Sequence, residues 1–414
     1  MENREAKMKV TMVVPTYWGR KRKDGWRETD DVYDHPTSLN EKGTIGRLLE
    51  SISVLKNKNF TLVILGVSTA LDIQSEVEEK VSSIIKESGI DVETLFFSYS
   101  QLSKIHEYLA KHDKDEFVPF LKLQGYSNIR NLCTFIPHLL GAEVTVLIDD
   151  DEIFEDPLFM NKALDYIGST YQGKKVLAVA GYYINPDDDF LLNREIFPWM
   201  TYWNKIDCMN RAFRKIIGQS PRLKETPFAF GGNMVLHREM FTYIPFDPCI
   251  PRGEDMNFLI SGKMFGFSFF LDNELHIKHD PPPKSHPHWR RLREDIFRFV
   301  FERTRINAQK PKHNMFQVTP DELDPYPGEF LKDDLEERIF RSNQMLTVDY
   351  ILQGDKEGAL ESMKNIYLAQ TQAVPEKNPF ESYLELQAFW RKLMDHFSSS
   401  KVSREVCSLL QFSA

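Results

Sequence analysis

Four short runs of β-branched and apolar residues constrain this chain most: Val10–Pro15 (VTMVVP), Phe60–Val67 (FTLVILGV), Val92–Ser98 (VETLFFS) and Glu143–Ile148 (EVTVLI). Each is too short for a stable helix and reads as a strand covered on both faces. Between them, Ile45–Leu55, Ile73–Ser88 and Asn128–Gly141 carry apolar residues at helical spacing, with Pro137 a distortion inside the third. Val176–Tyr182 is a fifth strand. Alternating strands and helices of this kind predict an α/β fold with a mostly parallel sheet flanked by helices. Ligands of such sheets bind where the strands end at their carboxyl termini, and Pro15 and Asp149 both fall there.

The pattern changes after Pro281-Pro282-Pro283. Trp289–Arg305 is helical and basic, residues 307–334 are rich in Pro and Asp, and Leu335–Leu352, Lys356–Thr371 and Pro379–Ser398 read as helices. The division expected is a catalytic α/β domain over residues 1–290 and a C-terminal helical extension over 291–414, in keeping with about 100–200 residues per domain. Trp390, Phe397 and Tyr367 at helical spacing read as a packing face, with a homo-oligomer through these helices as the alternative use. With 52 Lys and Arg against 61 Asp and Glu, the net charge of −9 speaks against nonspecific nucleic-acid binding. No apolar run approaches the roughly 20 residues of a membrane span. Cys133, Cys208, Cys249 and Cys407 are scattered without a CxxC pair, so a cytoplasmic, reducing compartment is expected.

The chemistry concentrates in Asp149-Asp150-Asp151, directly after an apolar strand. Three adjacent carboxylates repel one another unless solvent or a cation compensates, and a hard divalent ion with oxygen ligands does so well. A solvated acidic turn is the plain alternative. Further segments follow in a fixed order around this triplet: VVPTYW at the first strand, GYSNIRN before the triplet, then LIDDD, FGGNMVLHREMF, RGEDMNF and HIKHDPPP.

That order resembles the GT-A fold nucleotide-sugar glycosyltransferases, close to glycosyltransferase family 2, over roughly residues 8–290. The resemblance implies transfer of a hexosyl group from a nucleotide diphosphate sugar to an acceptor hydroxyl, on a saccharide or small molecule, with Mg²⁺ or Mn²⁺ as cofactor. By the same resemblance, Pro15, Thr16 and Tyr17 line the nucleotide pocket, and Arg130 steers phosphate or holds the acidic loop. Asp149 faces the ribose and Asp151 holds the metal, while Asp150 stands between them with its role open. Gly232 and Asn233 shape the donor-sugar and acceptor site, and paired glycines permit close backbone approach. Asp255, with Glu254 as the second choice, is the general base if the reaction inverts configuration, although an acidic residue also stabilises a helix N-terminus. His279 is the preferred partner of Asp151, with His276 as the other choice. Lys284 lies in a basic, aromatic segment suited to closing over a diphosphate, and Lys284 with Arg290–Arg293 would suit an anionic acceptor. The family's acidic base-reading residue after the second strand is replaced here by Gly66-Val67-Ser68, which leaves the donor base open. Trp289-Arg290-Arg291 lacks the glutamine of processive synthases, so non-processive transfer is expected.

Two other classes remain. A nucleotidyltransferase needs a glycine-rich basic loop after the first strand to cradle a triphosphate, and PTYWGRKRKDG has the charges but only Gly19 and Gly25. A non-catalytic binding relative of the fold would not need the intact acidic cluster or the Glu254-Asp255 pair.

Overall fold

The computed structural model describes residues 8–27, 29–282 and 286–410. Its centre is one twisted sheet built from β1 (Val10–Gly19), β2 (Thr61–Ser68), β3 (Thr94–Phe97), β4 (Val144–Ile148), β5 (Ala178–Ile184), β6 (Leu223–Glu225), β7 (Asn233–His237) and β8 (Phe270–His279). The strand order is β6-β8-β5-β7-β4-β1-β2-β3. From β3 to β4 the neighbours are parallel, and β5 is parallel to β8. The mixed α/β architecture with a mostly parallel sheet is therefore the one the sequence pattern predicts. The exceptions are β6, antiparallel to β8, and β7, which runs antiparallel to both β4 and β5. The apolar run of β7 is only five residues long, and nothing in it specifies direction.

This inversion has a consequence for position. The carboxyl ends of β1, β4, β5 and β8 all reach one edge of the sheet, and β7, running the other way, starts there. Asn233 pairs with Ile148, so Gly231-Gly232 arrive beside Asp149. β1 also continues past Pro15 as far as Gly19, because Thr16, Tyr17 and Trp18 stay in register with Gly66, Val67 and Ser68 of β2.

Successive side chains of a strand point to opposite faces, and the core divides accordingly. Met12, Val14, Leu62, Ile64, Val146 and Ile148 pack with residues of α1 (Ile45–Ser51) and α2 (Gln74–Ser88). Val13, Val63, Leu65 and Leu147 face α3 (Tyr99–Lys111) and α4 (Tyr126–Leu139) in a larger cluster. That cluster also takes in residues of α5 (Lys205–Ile216), α6 (Glu254–Met264) and α7 (His288–Asn307). α8 (Leu335–Leu352), α9 (Lys356–Gln370), α10 (Pro379–Phe397) and α11 (Ser400–Leu410) complete it. Among the described residues no helix is long and apolar enough to cross a membrane.

The C-terminal helices are thus joined to the same apolar cluster as the sheet. Trp390 and Phe397 are fully buried, whereas Tyr367 is largely exposed and takes no part in the packing face expected for it. Specific hydrogen bonds fix the contact: the Trp390 indole donates to Phe241 O at 2.9 Å and the Tyr383 hydroxyl to Pro245 O at 2.8 Å. Replacing Trp390 with Ala removes a wholly buried ring and one hydrogen bond. The expected loss is about 3–5 kcal/mol, read as an unfolding midpoint shift in urea. A loss below about 1 kcal/mol would show that α10 contributes little to the core.

Candidate active site

The carboxyl edge of the sheet opens into a cavity of about 540 Å³. Tyr17 comes to its wall from β1, the aspartate triplet from the end of β4, Tyr183 from β5 and His279 from β8. Gly231 enters just before β7, and Glu254 and Asp255 stand in the first turn of α6. The sequence separates these residues by more than 250 positions, and the sheet topology brings them together.

Each carboxylate of the triplet has a different partner. Asp149 accepts from Arg130 at 2.7 Å. Asp150 accepts from the Thr16 hydroxyl at 2.6 Å. Asp151 lies 3.4 Å from Nε2 of His279, whose ring stacks on Tyr183 with 4.6 Å between centroids. The two-residue strand Glu152–Ile153 pairs with the end of β8, His279 opposite Glu152, and this pairing sets the histidine beside the triplet. His276 lies away from it, against Tyr182. Between the two histidines, the geometry favours His279 as the residue able to act with Asp151.

The negative charge here is only partly compensated. Burial, then the charge of Asp151, pushes the Asp150 carboxyl up to about 8. Burial and the charge of Asp149 hold Glu152 well above the usual carboxylate range, and its Oε1 has no partner. For Asp151, burial acts in the same direction, but His279 and His35 outweigh it and the carboxyl falls below its ordinary value. Among the described residues no three His, Cys, Asp or Glu side chains form a ready-made metal cage. Asp151 and His279 nevertheless fit as a two-donor set, since carboxylate with imidazole suits Mn²⁺ well and the surplus charge favours a cation. The remaining ligands would have to come from water and a bound anion.

Asp150 also gives a test of the electrostatics. Its folded value of about 8 lies above the ordinary aspartate value of 3.8. An acid raised in the folded state costs stability above its unfolded pKa, and the cost grows until pH passes the folded value. Asp150→Asn should therefore raise the melting temperature at pH 7–8 in a chelator, and the gain should vanish near pH 4. A shift equal at both pH values would refute the charge argument.

Arg130 links the two acidic groups. Its side chain is 4% exposed and contacts Asp149 at 2.7 Å and Glu254 at 3.4 Å. Its Nη1 is buried and has no hydrogen-bond partner. Burial raises Asp255, and Met256 N–H, Arg298 and Arg130 offset this only in part, so its carboxylate is more basic than usual. A Cβ built on Gly231 would stand 3.6 Å from Cβ of Asp255, so the glycine loop and the α6 carboxylates meet.

The other expected residues are placed as follows. At Gly232 a Cβ would come within 2.3 Å of Glu152 Oε1 and 2.5 Å of Asp149 Oδ2, so only glycine fits against the triplet. The Asn233 amide is buried and donates to Tyr182 O and Leu275 O, both at 3.2 Å. It braces β5 against β8 and does not line the cavity, which corrects the expectation of a ligand contact. Pro15 and Thr16 are buried in β1, and Thr16 reaches the site only through Asp150. Tyr17 lines the cavity and packs on Tyr33 and Tyr126, at 4.6 and 5.7 Å between centroids. Lys284 lies outside the described residues. Arg293 turns away to Glu361 and Asn365 on α9, at 2.8 and 2.7 Å, so it is no part of a basic patch at the cavity.

Sequence reasoning missed Tyr183, Lys205, Arg252, Asp295 and Arg298, all on the cavity wall. Tyr183 was accessible, since it sits at the carboxyl end of a recognised strand. Asp295 and Arg298 lay inside a helix that reads as a uniformly basic surface, and only its docking turns them inward.

No family model matches the chain, and no curated protein matches it in sequence. Solved structures do show likenesses. The mannosyltransferase PcManGT from Pyrobaculum calidifontis, in complex with GDP-Man and Mn²⁺, aligns over 95% of this chain and 88% of its own, at 12% identity and a TM-score of 0.45. GalNAc-T7 with UDP, GalNAc and Mn²⁺ aligns over 72% of this chain and 51% of its own, at 12% identity and a TM-score of 0.38. Glucosyl-3-phosphoglycerate synthase from Mycobacterium tuberculosis, with Mn²⁺ and UDP-glucose, aligns over 72% and 78%, at 13% identity and a TM-score of 0.36. These structural neighbours are nucleotide-sugar glycosyltransferases solved with Mn²⁺.

Proposed function

We propose that this chain is a non-processive glycosyltransferase that moves a hexosyl group from a nucleotide diphosphate sugar to an acceptor hydroxyl. Residues 1–290 would form its catalytic part and 291–414 its helical extension. The observation that carries this reading is the meeting of two acidic groups, Asp149–Asp151 with His279 and Glu254 with Asp255, on one cavity and through one arginine.

In this reading Asp151 and His279 would hold a divalent cation, Mn²⁺ or Mg²⁺. Such an ion, when bound, offsets the charge of a diphosphate leaving group. Asp149, fixed by Arg130, would face the nucleotide. Asp255 suits a general base, because burial makes its carboxylate more basic. In an inverting transfer the acceptor oxygen forms a bond to the sugar C1 as the C1–O bond to the diphosphate breaks, and the acceptor proton passes to Asp255. In a retaining transfer Asp255 would position the acceptor.

The basic loop after β1 speaks against a nucleotidyltransferase. Arg20 is paired with Asp30 and Asp72, Lys21 with Glu76 and Arg22 with Glu41. These cations are neutralised within the loop and its neighbours and form no triphosphate cradle. The deciding experiment incubates the protein with GDP-, UDP- and ADP-sugars, with and without Mn²⁺ or Mg²⁺. Cation-dependent release of nucleoside diphosphate is expected. Pyrophosphate release from a nucleoside triphosphate would favour the nucleotidyltransferase, and no turnover with any donor would remove the reading.

A further inference from the structure

Beside the main cavity lies a second one of about 330 Å³, and the two share Arg194, Lys205, Ile206 and Asp295. Its walls are Phe197, Trp199, Met200, Trp203, His288 and Leu292, and Glu195 and Arg291 are the charged groups it does not share with the main cavity. The His288 ring lies 4.8 Å from Phe197 and 5.6 Å from Trp199 between centroids, so the three rings pack against one another along the slot wall. Burial and the charge of Arg291 hold His288 below its ordinary value. An apolar cavity of about 150 Å³ already accepts a benzene ring, so this slot has room for a ring with a short chain.

Two groups in the slot lack partners. The Trp199 indole is 5% exposed, and its N–H is buried with no acceptor. Arg194 stands where the slot meets the cavity, with no hydrogen bond or ion pair among the described residues. Arg291 and Arg252 act on it as like charges, and Asp295 and Asp34 as opposite ones. Lys205 and Asp295 between them are already paired. The slot is therefore apolar in its depth, and on its wall the cations Arg194, Lys205 and Arg291 outnumber the carboxylates Glu195 and Asp295.

We propose that this slot binds the non-reacting end of the acceptor, and that the acceptor is an amphiphilic anion: a ring or short apolar chain between Trp199, Trp203 and Phe197, with its anionic group on Arg194 and Arg291. The proposal rests on the transferase reading only for the word acceptor, since binding to the slot needs no donor. The reacting hydroxyl projects past Lys205 into the main cavity, which Asp255 lines.

Calorimetric titration of the full chain tests this with four probes. These are 3-phenylpropionate and phenyl phosphate, the neutral 3-phenylpropanol, and inorganic phosphate. Each aryl anion is expected to bind at least tenfold more tightly than the neutral alcohol and than inorganic phosphate. Whichever aryl anion binds more tightly identifies the head group as carboxylate or phosphate. Arg194→Gln, at an exposed position, should erase the preference for the anion over the alcohol. Trp199→Phe should weaken the aryl anions several-fold and leave the weak response to inorganic phosphate unchanged. Equal affinities for aryl anion and neutral alcohol, no effect of Arg194→Gln, or no binding of any aryl anion would overturn the proposal. Donor turnover is measured separately without acceptor. Turnover without probe binding removes the slot assignment alone, and probe binding without turnover of any donor removes the transferase reading alone.

Discussion

Asp151→Ala is expected to lower cation-dependent release of nucleoside diphosphate by about 10²–10³-fold, while the protein stays folded. The side chain of Asp151 is 11% exposed, and its charged form prevails because His279 and His35 outweigh the cost of burial. An acid lowered in the folded state contributes stability above its unfolded value, so the melting temperature at pH 7 without cation should fall modestly, and the loss should vanish as pH drops below both values. The rise in melting temperature that Mn²⁺ produces in the unaltered protein, by binding the folded state alone, should disappear. Asp151→Asn separates shape from charge. It keeps a hydrogen-bonding group near His279, and it should lose activity nearly as fully as Ala. A variant that retained the Mn²⁺-induced shift would place the cation elsewhere.

Arg130→Met should cost roughly 3 kcal/mol or more of stability, as breaking one partner out of a buried ion pair does. Methionine fills the volume but leaves Asp149 and Glu254 without their shared cation. The loss should depend on pH in a definite direction. Burial raises Glu254 even with Arg130 present, and Arg130 is the first group that offsets it. Without the arginine the folded-state value climbs further, so the penalty begins above the unfolded value and grows as pH rises. Urea denaturation at pH 5 and pH 8 should therefore show the larger loss at pH 8. Arg130→Lys, which keeps the charge but not the fork, should restore much of the stability and little of the activity. Equal losses at both pH values would mean that Arg130 acts by packing.

The parts of the fold that follow from local pattern were legible without coordinates of any kind. Val10–Pro15, Phe60–Val67 and Glu143–Ile148 have the β-branched density of strands covered on both faces, and they lie adjacent and parallel in the sheet. Asp149-Asp150-Asp151 stood out because three neighbouring carboxylates need an external reason. Trp390 and Phe397 were readable as packing residues from their spacing alone, and both are fully buried. Tyr367, on α9, was read with them and is exposed, because helical period says which residues share a face and not what covers that face.

Sequence by itself determined the strands, their alternation with helices and the acidic triplet, since each depends on residues within one short segment. Only the tertiary structure decided which histidine stands at the triplet, because that depends on Glu152 pairing with His279 across more than a hundred residues. It also decided the direction of β7, which puts Gly232 against Asp149 and commits the Asn233 amide to the strands on either side. The union of Asp149 with Glu254 through Arg130 belongs to the same class. Pairing register, strand direction and the burial of a charge are properties of the packed whole, and no local pattern encodes them.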